Sequence, residues 1–165
     1  ATFTDEDGVL YPDNDERAIF FAKGVVETVK KLNWVPDIIH VHGWMAAMLP
    51  IYMKHYYKDE ALFANTKIVT SVYSQSFEGN LDIEMINKVK FDNIPLEAIS
   101  HLETPNYENI IKASIMHSDA LIIASDNLSP SLTNFIETSG KPFLPFAPKD
   151  KFAELYTNFY KSELL

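Results

Sequence analysis

The run Asp37-Ile-Ile-His-Val-His-Gly-Trp-Met-Ala-Ala-Met-Leu-Pro50 constrains the fold more than any other stretch of the chain. Asp37 to Val41 has strand character. His42 and Gly43 follow, and then an apolar run from Trp44 to Met53, too long and too rich in Ala, Met and Leu to be more strand. The pattern predicts a strand, a tight turn and a buried helix reaching about Tyr57, kinked at Pro50. In open α/β sheets the ligand sits outside the carboxyl ends of the strands, where such turns lie. His42 and Gly43 therefore fall where binding or chemistry is expected. His40 shares a strand face with His42, and its neighbours read it as a packed core histidine.

The rest of the chain repeats the alternation. Residues 1 to 12 read as an acidic loop, and Asp13-Asn-Asp-Glu16 has the form of a capping box at a helix start. That helix is expected to run to about Asn33, with Ala18, Ala22, Val25, Val29 and Leu32 inside. Lys67 to Tyr73 and Asp119 to Ser125 are short, β-branched or apolar strands. Asn106 to Ser118 reads as a helix with Ile110, Ile111, Ala113, Ser114 and Met116 inward. A further helix starts at Ser129-Pro130 and stops before Gly140. Lys141 to Phe146 is a proline-flanked edge strand, and Pro148 to Tyr160 a closing helix. Helices alternating with strands predict an α/β, Rossmann-like three-layer sandwich with a mainly parallel sheet. Tyr52, Tyr56, Tyr57, Phe20 and Phe21 read as core rather than as a stacking platform for sugars.

Composition excludes several classes. The 165 residues carry a net charge of −9, where a phosphate-backbone binder needs a basic surface, so nucleic acid is not an expected partner. No apolar run reaches the ~18 residues of a membrane span. Cysteine is absent, which removes disulfides and thiolate metal sites and agrees with a cytoplasmic setting. Gly occurs five times and never as G-x-G, so no glycine-rich phosphate loop is present. His40-Val-His42 also resembles the strand-end His-x-His of zinc amidohydrolases. Those are barrels of ~250 residues, and His101 and His117 read as singletons, so no metal site is expected. The chain starts at Ala1 rather than Met, which reads as a piece of something longer.

Tyr11-Pro-Asp-Asn14, the long helix after it, Trp34-Val-Pro-Asp-Ile-Ile-His-Val-His-Gly-Trp44 and Leu49-Pro50 together resemble the bacterial glycogen and starch synthases. Lys67 to Gly79, Lys112-Ala113, Ser118-Asp119 and Ser125 continue the likeness in order, over roughly residues 11 to 135. The resemblance implies a GT-B glycosyltransferase, with this chain the later part of its N-terminal domain. It implies retaining glucosyl transfer from ADP-glucose to an α-1,4-glucan. By it, His42 is the tentative catalytic residue, binding the transferred glucose, and Asp13, His42, Gly43, Trp44 and Tyr73 are substrate-binding candidates.

The departures from the family pattern lie in the same places. Gly43 stands where the family has Asp, and Ser71-Val-Tyr-Ser74 replaces Thr-(Ile/Val)-His-Asn. Ser125-Asp-Asn-Leu128 replaces Ser-Pro-Thr-Tyr. The Lys-Thr-Gly-Gly loop and the second domain's Arg/Lys pair and Glu have no counterpart. The chain alone is therefore expected to be inactive, to bind nucleotide sugar weakly or not at all, and to have an α-glucan as its partner. No cofactor is expected beyond the donor implied for the intact family. The alternative is a non-catalytic paralogue that binds glycan or a synthase partner. An apolar flank, covered by self-association into a homo-oligomer, is the remaining expectation.

Overall fold

The computed structural model describes residues 3–165. Four parallel strands form one sheet in the order of the sequence: β1 (Ile38–His42), β2 (Lys67–Val72), β3 (Ala120–Ile123) and β4 (Phe143–Leu144). Ile38 pairs with Lys67 and His42 with Ser71, while Val69 pairs with Ala120 and Leu121 with Phe143. The α/β expectation and the parallel sheet are both found. Pro142 and Pro145 flank β4, which sits at the edge because a proline cannot donate to a ladder.

Among the described residues six α-helices accompany the sheet: α1 (Asn14–Lys31), α2 (Met48–His55), α3 (Met85–Phe91), α4 (Tyr107–Met116), α5 (Pro130–Thr138) and α6 (Phe152–Glu163). Strand–crossover–strand connections are right-handed almost without exception. A sheet that adds strands in one direction therefore keeps its crossovers on one side. Accordingly Ala22 and Val26 of α1, Ile51 and Tyr52 of α2, Ile110 and Ile111 of α4 and Ile136 of α5 share one core with Val41, Ile68, Val72 and Leu121. The alternate residues of the strands, Val69, Ala120 and Ile122, face the other way and pack on Phe159, Tyr156, Tyr160 and Leu164 of α6. The third layer of the sandwich is that one helix among the described residues.

Several local expectations are corrected. Asp13 makes no side-chain cap at α1; it pairs instead with Arg17 at 3.0 Å, whose guanidinium lies 4.8 Å over the Tyr11 ring. The helix ends at Lys31, and Leu32, 69% exposed, leaves the core to Ala18, Ala22 and Val26. Pro50 does not kink α2. The run from Trp44 breaks earlier, into a 3-10 turn over Trp44–Ala46, and α2 restarts at Met48. Pro50 then lies in the first turn, where a missing N–H costs nothing. Met116 points outward and Ile115 takes its place in the core. Tyr52 and Tyr57 are core residues, whereas Phe20, Phe21 and Tyr56 are exposed.

Two of the other helices, α4 and α5, carry side-chain caps. Asn106 accepts from the N–H of Asn109 at 2.9 Å, and Ser129 from that of Leu132 at 3.2 Å. Gly140 follows α5 with φ of 72°, the left-handed conformation that ends a helix. No described helix is long and apolar enough to cross a membrane.

Candidate functional site

The turn after β1 builds the site. Gly43 has φ 73° and ψ 166°, a region open in practice to glycine alone. That conformation turns the chain sharply out of the sheet and into the Trp44–Ala46 turn. His42 is left at the carboxyl end of β1 with its ring exposed. Its Nδ1 lies 2.7 Å from the Tyr73 hydroxyl, which rises just beyond the end of the adjacent strand. Among the described residues its Nε2 has no protein partner. Burial of part of the ring lowers the His42 pKa, so at neutral pH the imidazole is uncharged and offers Nε2 as a donor or an acceptor.

His40 is built differently. Its Nε2 sits 2.8 Å from Ser71 Oγ and its Nδ1 2.6 Å from the Tyr160 hydroxyl. Burial, and then the neighbouring His42, push its pKa down to about 4. Both nitrogens are committed, as the reading of a packed histidine requires. The two imidazoles stand 4.0 Å apart, centroid to centroid, with planes tilted by 36°.

His42, Gly43, Trp44 and Tyr73 line one cavity of about 580 Å³, together with Phe3, Met45, Gln75 and Ser76. Trp44 is held by edge contacts to Phe3 and to Phe77, each at 5.0 Å. Tyr73 is fixed from behind: the Tyr107 hydroxyl donates to its carbonyl at 2.6 Å. A second cavity of about 490 Å³ continues past Tyr73 and Ser76 toward Asn106, Asn109, Asn127 and Ser129. Asp13 is not in this lining; it borders a groove on the outer side of α1 with Glu16, Phe20 and Lys88. The structure thus brings together four of the five candidates. Gln75 and Ser76 were not singled out from the sequence, and only their position in the polar loop after a strand could have marked them.

The lining is polar and aromatic, and among the described residues no Lys or Arg contributes to it. It suits a neutral, polyhydroxylated ligand more than a diphosphate, which calls for positive charge or clustered backbone N–H groups. No three His, Asp or Glu side chains among the described residues are grouped to hold a metal ion.

Residues 1–137 match the family described as the starch synthase catalytic domain. The chain belongs to that family. It is similar to the glycogen synthase of Thermotoga maritima, at 32% identity over 138 residues, and to that of Elusimicrobium minutum, at 33% over 126. Those alignments cover 82% and 74% of this chain but 27% and 25% of the relatives, so the chain spans about a quarter of their length. A solved structure of the catalytic domain of starch synthase IV from Arabidopsis thaliana, bound to ADP and acarbose, superposes with a TM-score of 0.63. It covers 86% of this chain and 31% of that one at 15% identity, a likeness of fold.

In this member of the family, two residues shape the cavity. Gly43 supplies the turn, and Tyr73 supplies the partner of His42.

Proposed function

We propose that this chain forms the glucan-facing part of a synthase N-terminal domain. There His42 contacts the glucose to be transferred from ADP-glucose to an α-1,4-glucan, in the cytoplasm. The observation that carries the reading is that His42, whose Nε2 has no protein partner among the described residues, lines a cavity together with Trp44 and Tyr73 at the carboxyl end of a parallel sheet. An aromatic wall stacks on a sugar face, and an uncharged imidazole reads a hydroxyl. Gly43, Trp44 and Tyr73 shape that contact. Asp13 acts as a binding residue only for a ligand long enough to reach the N-terminus of α1.

Transfer with departure of a nucleoside diphosphate needs cations or N–H groups at the leaving oxygen, and among the described residues no Lys or Arg lines the cavity. Each exposed hydrogen bond contributes ~1 kcal/mol, against an association cost of several kcal/mol. The chain by itself is therefore a weak glucan binder and no transferase. Titration calorimetry with maltohexaose and with ADP-glucose, beside a labelled-glucose incorporation assay, tests this. Weak maltohexaose binding lost in His42→Ala, with no donor binding and no incorporation, is expected. Micromolar ADP-glucose binding would overturn it.

A second reading is favoured by Tyr73 and Gly43 standing where the family carries ionisable side chains. In it the protein is a non-catalytic paralogue that binds glycan or a synthase. Glucan binding that persists while a full-length gene product shows no incorporation selects this reading.

A further inference from the structure

At the end of the sheet opposite His42, two histidines from different helices meet head to head. His55 closes α2 and His117 follows α4. Their Nε2 atoms are 3.0 Å apart, with ring centroids 5.0 Å apart and planes at 68°. The Nδ1 of His117 lies 2.7 Å from the carbonyl of Ala113. A carbonyl only accepts, so that nitrogen carries the proton, and Nε2 of His117 presents a lone pair. In the metal-free pair His55 must donate from its own Nε2. Its Nδ1 has no protein partner among the described residues.

The geometry points to a two-histidine site for a first-row divalent ion of the nickel, copper or zinc class, held between Nε2 of His55 and Nε2 of His117. Two imidazole nitrogens bound at about 2.0–2.1 Å to one ion lie about 2.9 Å apart at a right angle and about 3.4 Å apart at a tetrahedral angle. The observed separation of 3.0 Å falls between the two. The bond from His117 Nδ1 to a backbone carbonyl is the outer contact that fixes tautomer and ring orientation in histidine metal sites. His55 has only to move its proton from Nε2 to its free Nδ1; no net proton is released.

The surroundings choose the class of ion. Lys54, bonded to Asp119 at 2.8 Å, and Lys141, bonded to the carbonyl of Ser118 at 2.6 Å, lie close by. Lys58, Glu97 and His101 also face the pair. A net positive neighbourhood with two neutral nitrogen donors rejects hard cations such as calcium and magnesium, which need anionic oxygens. It admits ions whose affinity comes from the imidazole bond itself. Water completes the coordination on the exposed side. The bound ion bridges the ends of α2 and α4 and so ties together two helices of the main core.

The test uses the full chain and Ni²⁺ as probe, by titration calorimetry and by thermal melting at slightly alkaline pH. One Ni²⁺ per chain is expected, together with a rise in melting temperature, since an ion that binds only the folded state stabilises it. His55→Gln and His117→Gln should each weaken binding at least ten-fold and abolish the rise. His42→Gln should leave both intact, which separates this site from the cavity at the other end of the sheet. Mg²⁺ should give neither signal. Absence of binding at millimolar Ni²⁺, or binding retained when His55 and His117 are both replaced, would overturn the inference. The double variant's circular dichroism establishes that it is folded, so that its loss of binding reports the ligands and not the fold.

Discussion

The hydroxyl of Tyr160 lies 2.6 Å from Nδ1 of His40. Through that bond the last helix is fastened to the strand that ends in His42. Tyr160→Phe leaves a half-buried imidazole nitrogen without its partner, and a loss of about 1–2 kcal/mol is expected. Urea unfolding of the variant beside the parent measures it, with the m-value unchanged.

His40 also makes stability depend on pH. Its pKa is about 4 in the folded chain, against 6.5 for an unperturbed histidine. Between those values the unfolded state binds the proton and the folded state does not, so stability falls as pH falls. The contribution is fully present above pH 6.5 and is lost progressively as pH drops toward 4. Each unit of depression corresponds to about 1.4 kcal/mol. Urea midpoints over that window, compared between the parent and His40→Gln, should show a steeper decline in the parent. Parallel curves would remove His40 as the cause.

Placing Asp at position 43 should destabilise this chain. An added Cβ meets nothing within 4 Å, so Gly43→Asp encounters no clash at its Cβ. The cost is backbone strain at φ 73° and ψ 166°, about 1–3 kcal/mol. Gly43→Ala should lose a similar amount, because the strain belongs to any side chain. A neutral effect on the urea midpoint in both would show that the turn relaxes.

Asp15 is fully buried at the start of α1, with Oδ2 2.7 Å from Nζ of Lys88. Lys88 also reaches Glu16 at 2.9 Å and Asp82 at 3.1 Å. Burial works against the ammonium's charge, but the three carboxylates outweigh it, and its pKa is raised. Lys88→Met keeps the packing and leaves the Asp15 carboxylate buried without a counter-charge. A loss of about 2–4 kcal/mol is expected, read by chemical denaturation. Asp15→Asn in the same background should recover part of it.

Phe20 and Trp34, 79% and 60% exposed, flank an apolar groove of about 750 Å³ along α1 with Leu32 and Met45. Contiguous apolar surface of this kind favours association. Sedimentation velocity over a concentration series should show self-association that Phe20→Lys with Trp34→Glu reduces. A monomer at all concentrations would leave the groove without that role.

The elements legible in the sequence were those fixed locally. The β1–turn–α2 unit follows from a change of hydrophobic period around a glycine, and the Ser129 cap from a residue that bonds its own helix. What was not legible depended on distance. Nothing near Leu32 or Phe20 says that the expected apolar flank is the outer side of α1. Tyr160 and His40 are 120 positions apart, and His55 and His117 are 62 apart. Each looks like a solitary polar residue until the sheet brings the elements together. Asp13 misled for the opposite reason: a local pattern suggested a cap, and a nearby Arg17 took the carboxylate.

The sheet that grows in one direction has a consequence for synthesis. As the chain emerges, each new strand docks on the one before it and each crossover helix covers the same side. The opposite side, with Val69, Ala120 and Ile122, stays bare until α6 has left the ribosome. A chain cut before Phe152 is thus a half-dressed sheet whose second face lies open to chaperones and to other chains.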